Sequence, residues 1–79
     1  MKEEIKNLIK QIIESQEEKL FHYAEKIVPH ITQEDLLQPM DYPELETNPY
    51  FRYEEGVLAG MHSIRAALLA YLQGAQKDA

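Results

Sequence analysis

Cysteine is absent from the 79 residues, which excludes disulfides and thiolate metal sites. No stretch of about 18 uncharged apolar residues occurs, so no membrane span is expected. Nor does an apolar run follow Lys2, Glu3 and Glu4 at the start, so a secretory leader is not expected and the cytoplasm is the expected compartment. Cations are missing from residues 29–49, which hold Glu34, Asp35, Asp41, Glu44 and Glu46. That segment supplies most of a formal net charge of −6, because residues 1–28 carry five Lys against six Glu and residues 50–79 are balanced. An acidic chain of this kind repels phosphate backbones and anionic lipid, so neither nucleic acid nor a membrane is an expected partner. Glu-x-x-His pairs and Gly-rich phosphate loops are also absent, and Ser15 and Ser63 have no base partner that spacing reveals. The expectation is a non-enzyme without cofactor or metal.

What is present is helical periodicity, and it predicts a single all-α domain. At about 100° per residue, Met1, Ile5, Leu8, Ile9, Ile12, Ile13, Leu20, Tyr23, Ala24 and Ile27 fall within an arc of roughly 160°, with Glu3, Asn7, Glu14, Glu18 and Glu25 opposite. This predicts an amphipathic helix over about 2–28, ended by Pro29. Gln16 is the lone polar residue near the centre of the arc. It reads either as a core-edge amide or as a buried group that sets the register of a partner helix.

Residues 30–49 form a connection longer than the 2 to 8 residues usual between packed helices. Thr32 and Asp35 form a variant capping box, with Ile31 and Leu36 at the staple positions, and predict a short helix over about 33–37. Pro39, Pro43 and Pro49 are expected to keep the rest irregular. Leu36, Leu37, Met40, Tyr42 and Leu45 are available to anchor the segment as a strap across the helices. Alternatively, the Tyr/Leu/acid-rich stretch 36–47 is itself the surface for a protein partner.

Asn48 before Pro49 marks a second helix, predicted over about 49–73 with Gly74 as terminator and a frayed tail over 75–79. Its expected packing seam is Tyr50, Val57, Met61, Ile64, Leu68 and Tyr71, with Glu54 completing the series. A carboxylate there either reaches solvent near the first turn or pairs with Lys19 or Lys26 across the helices, or with Arg65 of a second copy.

A second side of this helix carries only small side chains: Gly56, Ala59, Gly60, Ser63, Ala66, Ala67 and Ala70. Each helix-interior Gly costs about 1 kcal/mol against Ala, and close approach of another helix is the expected compensation. The predicted architecture is therefore an antiparallel helical hairpin with a strap-like connection, self-associating into a four-helix bundle, first as a homodimer. Gly56, Ala59, Gly60, Ser63, Ala67 and Ala70 are its expected oligomer interface, and Glu54, Arg65 and His62 are the polar residues of functional interest. The expected role is a protein-interaction module: a small homo-oligomeric adaptor, regulator or chaperone-like subunit. A rival reading is a metal-binding or enzymatic bundle using Glu54, Glu55 and His62 from several chains. Glu18, His22 and Glu25 also share a helical face at ligand spacing, but on the solvated side.

Overall fold

The computed structural model describes residues 2–77, and within that range every regular element is helical. Helix α1 spans Lys2–Ile27, α2 is the single turn Pro43–Glu46, and α3 spans Pro49–Lys77. Two 3₁₀ turns, Asp35–Leu37 and Pro39–Asp41, lie between α1 and α2. None of the described helices is long and apolar enough to cross a membrane.

Helix α1 carries Glu3 and Glu4 in its first turn and Lys26 in its last, the distribution favoured by the helix dipole. Pro29 lacks the amide hydrogen needed to continue, and His30 turns the chain with a left-handed φ of 71°. The amide of Ile31 then donates to the carbonyl of Val28 at 3.2 Å, folding the backbone over so that Ile31 is buried.

The connection is more regular than its prolines suggest. Thr32 and Asp35 form a reciprocal box: the Thr32 amide donates to Asp35 Oδ2 at 2.9 Å and the Asp35 amide to Thr32 Oγ1 at 3.2 Å. The helix it opens is one 3₁₀ turn, shorter than the expected 33–37. Pro39 and Pro43 were expected to forbid regular structure, yet each starts a turn, because a proline in a first helical turn forfeits no hydrogen bond. Leu45 is fully buried and Leu36 and Tyr42 are half-buried, whereas Leu37, expected as an anchor, is 81% exposed. The Met40 side chain lies outside the described residues.

Asn48 starts α3 as a side-chain cap, its Oδ1 accepting the Phe51 amide at 2.9 Å. Gly74 does not end the helix, which continues to Lys77. A lone Gly weakens a helix without stopping it unless the backbone turns left-handed there, and no glycine in the chain has positive φ. Of the tail expected to fray, residues 75–77 are helical and residues 78–79 lie outside the described range, as does Met1.

Helices α1 and α3 lie side by side, and as residue numbers fall along α1 those of its α3 neighbours rise. Tyr23 meets Asn48 and Tyr50, Gln16 meets Glu54, and Lys2, Lys6 and Lys10 share a groove with Arg65, Leu69 and Gln73. The body measures 50 × 19 × 18 Å. We call the end that carries the connection the near end and the other the far end.

The core sits at the near end, where Leu20, Ala24, Ile31, Leu45 and Phe51 are buried together and Leu58 packs beside them. The expected α3 seam holds in part, with Glu54 buried and Val57, Met61 and Leu68 half-buried, and is corrected at its other positions. Phe51, one residue past the predicted Tyr50, has no exposed surface, while Tyr50, Ile64 and Tyr71 are exposed. The cause is the connection, which covers one side of the helix pair through Leu36 and Leu45 and so draws the Phe51/Leu58 side of α3 inward. No described residue between 2 and 12 or between 55 and 74 is buried.

Candidate functional site

A polar cluster closes the core where α1 crosses α3. Gln16 and Glu54 are both buried, and the Gln16 amide nitrogen donates to Glu54 Oε2 at 2.7 Å and to the Glu54 backbone carbonyl at 3.0 Å. Lys19 lies across the helices with its Nζ 3.3 Å from Glu54 Oε1. Glu54 thus pairs on its seam, by the Lys19 route among those open to it, with Gln16 as an additional partner that sequence spacing did not indicate. The Gln16 hydrogen bond, reinforced by Lys19, holds the Glu54 carboxyl below its usual range, and Glu54 in turn raises Lys19. Both carboxylate oxygens of Glu54 and its backbone carbonyl are occupied within the cluster, which ties the two helices together.

The other candidate chemistry does not converge. Glu55 pairs with Arg52 at 3.1 Å on the same helix, and His62 and Arg65 are exposed. His22 Nδ1 lies 3.2 Å from Glu25 Oε1 on the solvated side of α1. Among the described residues no three His, Asp or Glu side chains gather as a metal set.

The structure does present surfaces. Gly56, Ala59, Gly60, Ser63, Ala67 and Ala70 are all exposed on α3, and a Cβ built on Gly56 or Gly60 meets nothing within 4 Å. Beside them run Tyr53, Ile64 and Tyr71, each about two-thirds exposed or more, and α1 adds exposed Leu8 and Ile12.

Two grooves lie between the helices. The far-end groove, about 380 Å³, is lined by Lys2, Lys6, Lys10 and Arg65 over a floor of Leu69 and Leu72, with Glu3 as its one carboxylate. Half of the eight cationic side chains of the chain therefore meet in one place, which the acidic composition concealed. The Lys2, Lys6, Lys10 repeat was legible as a helical stripe, but its meeting with Arg65 depends on how α3 is placed. The near-end groove, about 550 Å³, carries Glu14, Glu17, Glu18 and Glu55, with Leu36 and Leu37 of the connection on its rim.

In that connection, the Thr32 amide bond holds the Asp35 carboxyl below its usual range, while burial and the nearby Asp35 charge push the Tyr42 phenol up. Glu34, Asp41, Glu44 and Glu46 are exposed. Comparison of the chain with family models, with curated proteins and with solved structures finds no match.

Proposed function

We propose that the chain is a non-catalytic protein-interaction module: an antiparallel helical hairpin that self-associates through α3 toward a four-helix bundle and works in the cytoplasm as an adaptor, regulator or chaperone-like subunit. The carrying observation is the placement of the core. Among the described residues the buried apolar cluster lies at the near end, burial along α1 stops at Ile13, and Leu8, Ile12, Ile64 and Tyr71 stand exposed toward the far ends of the two long helices. Isolated helices gain little from propensity alone and derive most of their stability from packing an apolar face. Helix stretches without a buried residue, 2–12 and 55–74, are in deficit until something covers them. The open space over Gly56 and Gly60 supports α3 as the place where a second helix approaches, since small side chains let axes come nearer than the usual 8 to 10 Å.

The test is mass in solution across a dilution series by light scattering. The proposal expects a mass above that of one chain, falling to one chain in an Ile64→Asp variant that keeps its helical circular dichroism. A wild-type protein monomeric at every concentration would overturn it.

A further inference from the structure

The two grooves lie on one side of the helix pair. Along α1, Glu3, Asn7, Lys10, Glu14, Glu17 and Phe21 follow one another at alternating fours and threes, so the basic far-end lining and the acidic near-end lining share a single stripe. On α3, Glu55, Leu58, Arg65, Leu69 and Leu72 continue the same side. This face is cationic at one end and anionic at the other. Its acidic end also holds an exposed apolar knob, Leu37, next to Glu34 and Asp35. Its basic end holds the complement, an apolar floor of Leu69 and Leu72 rimmed by Lys2, Lys6, Lys10 and Arg65. Among the described residues the only ion pair in that rim is Lys6 with Glu3, at 3.6 Å.

We propose that the basic groove binds the acidic connection of a second copy of this chain, with Leu37 seated over Leu69 and Leu72 and with Glu34 and Asp35 against the lysines. Two copies placed face to face and end to end in opposite senses make this contact twice about one two-fold axis, a closed and self-complementary arrangement. In any parallel placement the acidic ends meet each other, and so do the basic ends, which like-charge repulsion opposes. The inference rests on the self-association proposed above but uses a different face from the small side of α3, so each contact can fail alone.

The chain has no cysteine, which allows a direct test with Gln38→Cys and Gln73→Cys, two exposed positions, one beside the knob and one in the groove lining. With diamide added as the two-electron oxidant, an equal mixture of the two single variants should form a mixed disulfide about tenfold faster or more than either variant forms its own, because docking raises the local thiol concentration. Salt at about 1 M, where the screening length falls to about 3 Å, should suppress it. Lys10→Glu on the groove partner should slow the reaction, and Glu34→Lys on the knob partner should restore it. A mixed disulfide no faster than the homotypic ones, or indifferent to salt and charge reversal, overturns the proposal. So does one abolished by Gly60→Leu but not by Lys10→Glu, which would belong to the α3 contact. If a polyglutamate peptide binds in a Lys10-dependent way and no mixed disulfide forms, the groove takes a foreign acidic segment and the second-copy assignment fails.

Discussion

Gln16 grips Glu54 twice, its side-chain amide donating at 2.7 Å to the carboxylate and at 3.0 Å to the backbone carbonyl of the same residue. One side chain of α1 thereby positions a residue on α3 and favours its charged form. Sliding either helix by a turn would leave a buried carboxylate without partners, a penalty that makes the observed register the favoured one.

The pH dependence of stability follows. The folded-state pKa values of Glu54 and Asp35 are lowered, so each contributes stability that is complete above the ordinary carboxylate range, about 4, and is lost as pH falls through the lowered folded value. Urea titrations should show an acid limb beginning near pH 4 that is shallower in Glu54→Gln. Lys19 runs the opposite way: its pKa is raised, so its contribution is present at neutral pH and disappears as pH climbs past the usual lysine range. An acid limb of equal slope in both proteins would show that the Gln16 contact does not stabilise the charged form.

Core truncations should separate the observed α3 packing from the one that periodicity suggests. Phe51→Ala removes a ring with no exposed surface and should cost about 3 to 5 kcal/mol, and Leu45→Ala about 2 to 5 kcal/mol. Ile64→Ala, on the expected seam but 67% exposed, should cost a single chain under about 1 kcal/mol. Denaturant midpoints in dilute protein measure all three, and a larger loss at Ile64 than at Phe51 would reverse the assignment.

Asn48 should be worth more than an ordinary cap. Its Oδ1 accepts the Phe51 amide at 2.9 Å and the Tyr23 hydroxyl at 3.3 Å, tying the start of α3 to α1. Asn48→Ala should lose about 1 to 2 kcal/mol, at the upper end of the range for N-caps. Tyr23→Phe in the Asn48→Ala background should then add almost nothing, since the shared acceptor is already gone; additive losses would show the two bonds to be independent.

Gly60→Leu gives effects of opposite sign for the two states of α3. With open space over Gly60, a free chain gains about 0.8 kcal/mol of helix propensity. Where a second helix lies close, the same side chain costs about 1 to 3 kcal/mol by overpacking. Light scattering with thermal melts reads both: the self-association proposed here expects a lower mass, while a stabilised protein of unchanged mass removes this face from the interface.

Local signals were the legible part of this sequence. The apolar period of α1, the Thr32–Asp35 box and the Asn48–Pro49 start each depend on neighbours a few residues apart, and each appears in the structure. What sequence spacing misplaced was the edge of the inward side of α3, which includes Phe51 and Leu58 and leaves out Tyr50, Ile64 and Tyr71. Its apolar residues occupy a broad arc, with Tyr50 and Phe51 adjacent, so periodicity alone leaves the buried direction open. The choice is made by the connection, whose Leu45 and Leu36 pack where no helical period points. Gln16 and Glu54 each stand out in the sequence as polar residues on apolar stripes, but their pairing joins positions 38 residues apart, which spacing along one helix cannot report. The basic groove was hidden for the same reason.

A molecule whose buried apolar cluster lies at one end, with burial fading by Ile13, behaves mechanically like a tweezer hinged at that end. Separating the tips, residues 2–12 from 62–74, exposes no fully buried side chain, whereas parting the helices at Phe51 dismantles the core. Free energies of opening in such a body rise along the helices toward the connection. The far half can therefore open and close, or re-pair with another chain, while the near half stays folded, so an exchange of partners needs no global unfolding.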